Sequence, residues 1–272
     1  MRPEVMLEPF RFGNVPLFLS WAAEEGWRCG SWEFDFLLEH FPQGCWTTST
    51  DGIATGFITS VKYVNSGWIG NLLVREDCRG RGYGRLLMEQ AMDSLDRAGV
   101  KTMWLTASRA GQPLYEKLGF IAIDRISRWR GSGIPDAAAT PANYLPDDIE
   151  SLDRHAWGDT RRLILDTIAA KATVVGTADG FCMVQGTEGA LQLGPWSCRN
   201  TVAAEDLLEQ ALTVAGPAEI FLDVPDSNDD AAFLLRKWGF APCSGTILMY
   251  RGALPSYQPQ LIYALASMGS MG

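Results

Sequence analysis

Arg79-Gly80-Arg81-Gly82-Tyr83-Gly84 is the stretch on which the reading of this 272-residue chain turns. A run of strand character, Trp68 to Val74, precedes it. Helical periodicity follows from about Gly84: Leu87, Ala91, Leu95 and Ala98 fall on one face, and Gly99 is placed to end the helix. Three glycines in six residues permit positive φ, so successive backbone N–H groups can point into one concavity. A helix N-terminus adds N–H groups without carbonyl partners and a partial positive charge. Together these hold a pyrophosphate. From Arg75 to Arg85 four arginines stand against Glu76 and Asp77, a local charge of +2 in a chain of net −9. No Gly-Lys-Ser/Thr follows, which excludes a nucleoside-triphosphate loop. The preceding strand belongs to an antiparallel run rather than a βαβ unit, which argues against a dinucleotide fold.

Outward from this loop the pattern alternates helices and strands. Phe12 to Glu25 carries apolar residues at helical spacing and stops at Gly26, and Trp32 to Phe41 predicts a second short helix. Gly44 to Thr48, Ala54 to Tyr63 and Gly67 to Val74 predict three antiparallel strands, joined through Asp51-Gly52 and Asn65-Ser66-Gly67. After the loop helix, Val100 to Thr106 predicts a buried strand. Pro113 opens a short helix that ends at Gly119, and Phe120 to Arg130 predicts a closing strand. Ser132 to Asp148, with three prolines and three consecutive alanines, has linker composition.

The second half repeats the first weakly. Leu118-Gly119-Phe120 is matched by Trp238-Gly239-Phe240, and Trp129-Arg130-Gly131 by Tyr250-Arg251-Gly252, at nearly one offset. Between them lie a helical pattern over Leu207 to Ala215, a strand over Glu219 to Val224 and a helix over Asp229 to Trp238. The expected partition is a domain over 1–133, a linker over 134–148, a second domain over 149–254 and a tail over 255–272. The apolar run Leu261 to Ala266 suggests an added strand in the tail.

An excess of acid, 32 Asp+Glu against 23 Lys+Arg, argues against nucleic acid or an anionic membrane surface as partner. No apolar run approaches bilayer length, and Glu4 and Glu8 break any leader pattern near the start, so a cytoplasmic protein with reduced thiols is expected. With only His40 and His155, no metal is expected. Cys78 lies beside the loop, but no His is near it in sequence, which argues against a covalent acyl-cysteine route.

Leu72-Leu73-Val74, then Arg79 to Gly84, then Tyr115-Glu116-Lys117-Leu118-Gly119-Phe120 resemble the GNAT-type N-acetyltransferases. The motifs cover the first half, and the tandem arrangement resembles a bacterial group of two-domain GNAT proteins. The resemblance implies an α+β fold: two tandem GNAT-like domains, each a mixed, mostly antiparallel sheet flanked by helices. It implies that acetyl-CoA is held by Arg79, Gly80, Arg81, Gly82, Tyr83, Gly84 and Arg85 at its pyrophosphate. Leu72, Leu73 and Val74 would meet its pantetheine arm, with Ser108, Leu114 and Tyr115 lining the slot. Tyr115 matches the family's general acid; a phenol with a pKa near ~10 remains a donor at neutral pH.

No carboxylate stands on Trp68-Ile69-Gly70-Asn71, where many relatives place a general base. Glu24 or Glu25, Asp35, or a water chain remain candidates, with Glu25 favoured. Glu24 and Trp27 would border a cationic amine, and Asp223 in the second half would offer it a further acid. At the position equivalent to the loop, the second half reads Gly194-Pro195-Trp196-Ser197-Cys198-Arg199-Asn200, without the glycine repeat. Leu235 stands where Tyr115 would be. One acetyl-CoA site per chain is therefore expected, serving a small-molecule amine, in a monomer or homodimer. A non-catalytic acyl-CoA-binding protein and a protein N-terminal or lysine acetyltransferase are the competing expectations.

Overall fold

The computed structural model describes residues 4–135, 149–187 and 189–272; all but the first two residues of the expected linker lie outside them. The first half runs β1 (Val5–Pro9), α1 (Val15–Glu24), α2 (Ser31–His40), β2 (Trp46–Thr50), β3 (Ile53–Lys62), β4 (Ser66–Val74), α3 (Tyr83–Arg97), β5 (Thr102–Ala107), α4 (Gln112–Lys117) and β6 (Ile121–Ser132). The second runs α5 (Ile149–Trp157), α6 (Arg162–Ala169), β7 (Thr173–Thr177), β8 (Gly180–Thr187), β9 (Ala190–Cys198), α7 (Thr201–Ala215), β10 (Glu219–Pro225), α8 (Asp229–Lys237), β11 (Ala241–Gly252) and β12 (Ile262–Ala264). Sequence pattern does not announce β1, because this strand is paired only with β2 and leaves most of its side chains in solvent. Helix α7 starts six residues before its apolar periodicity, where Asn200 caps it by accepting the Ala203 N–H at 2.9 Å.

All strands join one mixed sheet in the order β1-β2-β3-β4-β5-β11-β6-β10-β9-β8-β7, with β12 added to β9. The two halves have exchanged their closing strands. Strand β11, from the second half, lies against β5, and β6, from the first, lies against β10. The exchange follows the sequence repeat: Gly252 faces Thr102 as Gly131 faces Ile220. A cut of the chain at 133 therefore divides the sequence but not the sheet, since each half is completed by the other.

Helices cover both faces. On one, α1, α2, α5 and α6 share a single core across both halves, with Phe18, Phe34, Phe57, Trp68, Trp157, Ile164 and Phe181 buried together. On the other, α3 and α4 pack around Leu87, Met88 and Tyr115, and α7 and α8 around Leu207, Leu208 and Leu235. The halves are also fastened by Asp159, whose carboxylate accepts the Ser66 N–H and hydroxyl, each at 2.7 Å, at the β3–β4 turn.

Candidate active site

Strands β4 and β5 pair in parallel only from Ser66↔Thr102 to Trp68↔Trp104, then separate. The separation coincides with a bulge in β4. Register with β3 jumps from Thr59↔Gly70 to Phe57↔Leu73, so Asn71 and Leu72 together face Ile58. Asn71 takes the left-handed conformation, φ 55°, which Asn tolerates better than most residues. Its side-chain amide donates to Thr59 Oγ1 at 3.0 Å and fixes the bulge.

At one mouth of the opening lies the Arg79–Gly84 loop. Gly80 and Gly82 have φ of 75° and 91°, and a side chain added at either would meet nothing within 4 Å. The loop thus leaves open space on the side that a Cβ at either glycine would occupy. Helix α3 begins directly after Gly82, and its first N–H groups have no carbonyl within the helix to reach. Leu72, Val74 and Leu114 surround Gly84, forming the apolar wall between loop and bulge. Arg79 donates to the Val74 carbonyl at 3.0 Å and Arg81 to that of Asp77 at 2.9 Å, which braces the loop. Tyr83 is buried as helix packing, 3.5 Å from Thr50 Oγ1.

Behind the splay is a cleft of about 350 Å³ lined by both halves. From the first half it takes Trp27, Glu33, Gly70, Thr106, Ser108, Tyr115 and Arg128. The second half contributes Gln192 and Ser244 to Thr246, and the tail Ser267 to Ser270. The Tyr115 ring is buried and its hydroxyl has no hydrogen-bond partner among the described residues. Burial pushes its phenol up to about 12, so it stays a proton donor throughout the neutral range. Glu33 is the carboxylate that lines this cleft. Its Oε1 accepts the Gly30 N–H at 2.8 Å, and burial raises its carboxyl above the ordinary 4.5 despite this bond and the nearby Ser270 hydroxyl.

The structure places the residues expected on the acceptor side as follows. Glu24 and Glu25 do not line the cleft; Glu25 forms an ion pair with Arg79 and is occupied in bracing the loop. Asp35 is exposed on the outer face of α2. Asp223 is fully buried and takes both its oxygens to Arg128, at 2.7 and 2.8 Å, so it holds a cleft arginine instead of facing a substrate. Trp27 does line the cleft, as do Leu72, Ser108 and Tyr115. Glu33 lines the cleft but was not named from the sequence, although its helix was read. The signal was a carboxylate in register with the buried residues Phe34, Phe36, Leu37 and Leu38, where a surface acid does not belong.

In the second half the matching opening is filled by the chain itself. Strands β9 and β10 pair in parallel only at Ile220↔Leu191 and Phe221↔Gln192. Register with β8 jumps from Cys182↔Trp196 to Val184↔Leu193, so Gly194 and Pro195 form a bulge opposite Met183. Those two residues therefore correspond to the β4 bulge, and not to the phosphate loop as the sequence suggested. Strand β12 enters beside β9, and the Leu265 N–H reaches the β10 carbonyl of Asp223 at 2.8 Å. The tail then crosses to the first half. There the Asn71 N–H donates to the Gly269 carbonyl at 3.3 Å, the Thr106 hydroxyl to the Met268 carbonyl, and Ser270 Oγ to Asn71 Oδ1 at 3.3 Å. Met271 is buried, and its carbonyl accepts from the Tyr63 hydroxyl at 2.6 Å.

Among the described residues no helix is long and apolar enough to cross a membrane, and no three His, Cys, Asp or Glu gather as metal ligands. The profile of the Acetyltransferase (GNAT) family matches residues 12–120, and that of an Acetyltransferase (GNAT) domain matches residues 149–264. Holothin acyltransferase of Pseudoalteromonas sp. (strain SANK 73390) is 27% identical over 265 residues, covering 91% of this chain and 88% of that protein. The [ribosomal protein bS18]-alanine N-acetyltransferase of Salmonella typhimurium is 38% identical over 76 residues, 27% of this chain and 51% of that protein. Among solved structures, a proposed acetyltransferase from Pyrococcus horikoshii superposes with a TM-score of 0.86 at 21% identity, covering 98% of this chain and 96% of that one. A tandem GNAT protein from the clavulanic acid biosynthesis pathway gives 0.61 at 16% identity, covering 93% and 99%. At those identities the two structures speak to the fold alone. With both halves matched, and with acyltransferases among its relatives, the chain is an acyltransferase that belongs to the GNAT family of acetyltransferases.

Proposed function

We propose that the protein transfers an acetyl group from acetyl-CoA to the primary amine of a small molecule, at one site per chain, in the first half. The observation that carries this reading is the β4–β5 splay, with a glycine loop at one mouth and, behind it, a cleft lined by Tyr115 and Glu33. The donor supplies an activated thioester. Backbone N–H groups of Gly80 to Arg85 hold its pyrophosphate, and Leu72 to Val74 lie along its arm. Glu33 takes a proton from the acceptor's ammonium, and burial makes it a stronger base than a surface carboxylate. The free amine attacks the thioester carbon; the N–C bond forms and the C–S bond breaks. Tyr115 gives its proton to the departing sulfur, and the second proton shed by the nitrogen restores the phenol. The products are an amide and a thiol, and Glu33 releases the proton it took to solvent.

A small acceptor is favoured over a protein because the tail already takes the polar groups that an extended peptide would need. The Asn71 N–H and the Thr106 hydroxyl are both bonded to tail carbonyls. The second half keeps no equivalent opening, since β12 fills it. Thiol release from acetyl-CoA, measured across a panel of small amines and peptides with free N-termini, tests the reading. Turnover confined to small amines supports it. Acetyl-CoA binding without turnover on any amine, or preferential turnover of peptides, refutes it.

A further inference from the structure

One hydroxyl of the tail stands between Glu33 and the β4 bulge. Ser270 is 3% exposed and lines the cleft together with Glu33 and Asn71. Three bonds anchor its backbone there. The Ser270 N–H donates to Ser267 Oγ at 3.2 Å, the carbonyl of the next residue accepts from the Tyr63 hydroxyl at 2.6 Å, and that of the preceding residue accepts the Asn71 N–H at 3.3 Å. The chain here passes directly over Gly70, where an added Cβ would lie 2.9 Å from the Ser270 Cα.

Ser270 Oγ lies 3.3 Å from Asn71 Oδ1. The Asn71 amide is oriented by its Nδ2, which donates to Thr59 Oγ1 at 3.0 Å, so its oxygen is the atom that faces Ser270. The same hydroxyl reaches the Glu33 carboxyl, which already takes the Gly30 N–H at 2.8 Å. A hydroxyl has one proton to give and two lone pairs to accept with. When Glu33 is ionised, its carboxylate is the stronger acceptor and the Ser270 proton turns to it. When Glu33 carries the proton taken from an ammonium, it can donate to Ser270 Oγ while Ser270 donates to Asn71. Ser270 thus has a bonded arrangement for either state of the base.

The other ionisable groups around Glu33 do not take this place. Arg28 and Cys29 before α2, Arg128 on β6 and Tyr115 on α4 line the same cleft. Arg128 is held by Asp223, and Arg28 lies 3.6 Å from Glu219, which Arg130 shares at 2.9 Å. Burial pushes the Cys29 thiol up to about 12, so it stays neutral. Burial also works against an ionised Glu33, whereas the Gly30 N–H and the Ser270 hydroxyl favour it.

Resting on the proposed function, we propose that Ser270 is a positioning residue for the base: its hydroxyl orients the Glu33 carboxylate in the cleft and favours its ionised form, so the tail supplies a working part of the site in the first half.

The pH dependence of kcat/KM for one amine, read by thiol release from acetyl-CoA in the whole protein, tests this. Below the acid limb the rate follows the ionised fraction of Glu33, and the ionisation of the amine itself is common to every variant compared. In Ser270→Ala the limb should move up by about one pH unit, a loss of about tenfold on the acid side, and the rate should rejoin the wild type on the alkaline side. Ser270→Cys, which keeps a weak donor, should fall between the two. Glu33→Gln should abolish the limb along with most of the activity. A limb that stays in place in Ser270→Ala, or a rate that falls equally at every pH, overturns the inference and leaves the proposed function standing. Activity and limb retained in Glu33→Gln, or no turnover of any amine with acetyl-CoA bound, overturns both.

Discussion

A methyl group placed on Gly70 strikes the tail at a defined point. The added Cβ would lie 2.2 Å from the Gly269 carbonyl oxygen and 2.9 Å from both the Cα and the carbonyl oxygen of Ser270. Contact at ordinary distance begins near 3.4 Å, so the tail must withdraw. Withdrawal breaks the bond from the Asn71 N–H to Gly269 and the bond from Ser270 to Asn71, each 3.3 Å long. At about 0.5–1.5 kcal/mol each, the tail loses roughly 1–3 kcal/mol of attachment. Its docking equilibrium falls by a factor of roughly 5–150. The anchor upstream is untouched: β12 stays on β9, Tyr263 stays stacked on Trp196 at 5.0 Å, and Asn228 still donates to the Ile262 carbonyl at 2.9 Å. Hydrogen–deuterium exchange of Gly70→Ala is the assay. Amides from Ser267 onward should exchange faster by that factor, with 258–265 as protected as before and Tm little changed. In parallel, KM for small amines should rise while peptide amines gain access. Unchanged tail exchange and an unchanged acceptor profile in a folded Gly70→Ala protein would refute the tail as the wall of the cleft.

Other consequences follow from single groups. Burial raises the carboxyl of Glu33 in the folded state above its unfolded value, so ionisation weakens the fold as pH rises through that raised value. Glu33→Gln should therefore match the wild type in acid and be the more stable protein at neutral pH, while losing activity; equal stability at pH 8 in urea titrations would contradict this. The pair Arg161–Asp153 is buried on both sides, 3% and 0% exposed, at 2.7 Å. Asp153→Ala leaves that guanidinium uncompensated and should cost about 3–5 kcal/mol, read as a lowered urea midpoint. Gly82, at φ 91°, has room for a methyl group but not the backbone freedom. Gly82→Ala should cost roughly 1–2 kcal/mol, and a raised Kd for acetyl-CoA, by calorimetry, should accompany it. An unaltered Kd would remove the loop from the donor site.

What was legible in the sequence is what is local. The loop, the helix behind it and Tyr115 lie within 37 residues of one another, and the proposed chemistry rests on that spacing. Glu33 was within reach, since it occupies the buried stripe of α2, but the reading weighed its exposed neighbour Asp35 from that helix and favoured Glu25. Glu25 could not be judged from sequence, because the arginine that occupies it is 54 residues away. Asp223 looked free for the same reason; its partner is 95 residues upstream. The tail meets Asn71 across 199 residues, a pairing that no periodicity announces. The repeat did foreshadow two like halves. It could not show that they exchange closing strands, because either partner satisfies the same edge with the same pattern.

The central claim is that the cleft behind the β4–β5 splay performs acyl transfer with Tyr115 as the proton donor to sulfur. The most direct measurement is thiol release from acetyl-CoA by Tyr115→Phe and by the wild type on the same amine, with acetyl-CoA affinity measured alongside. The phenol has no hydrogen-bond partner among the described residues, so its loss should leave the fold and the donor Kd unchanged. The account predicts a fall in kcat of about 10²–10⁴-fold. A Tyr115→Phe protein that binds acetyl-CoA as before and turns over at the wild-type rate would contradict it.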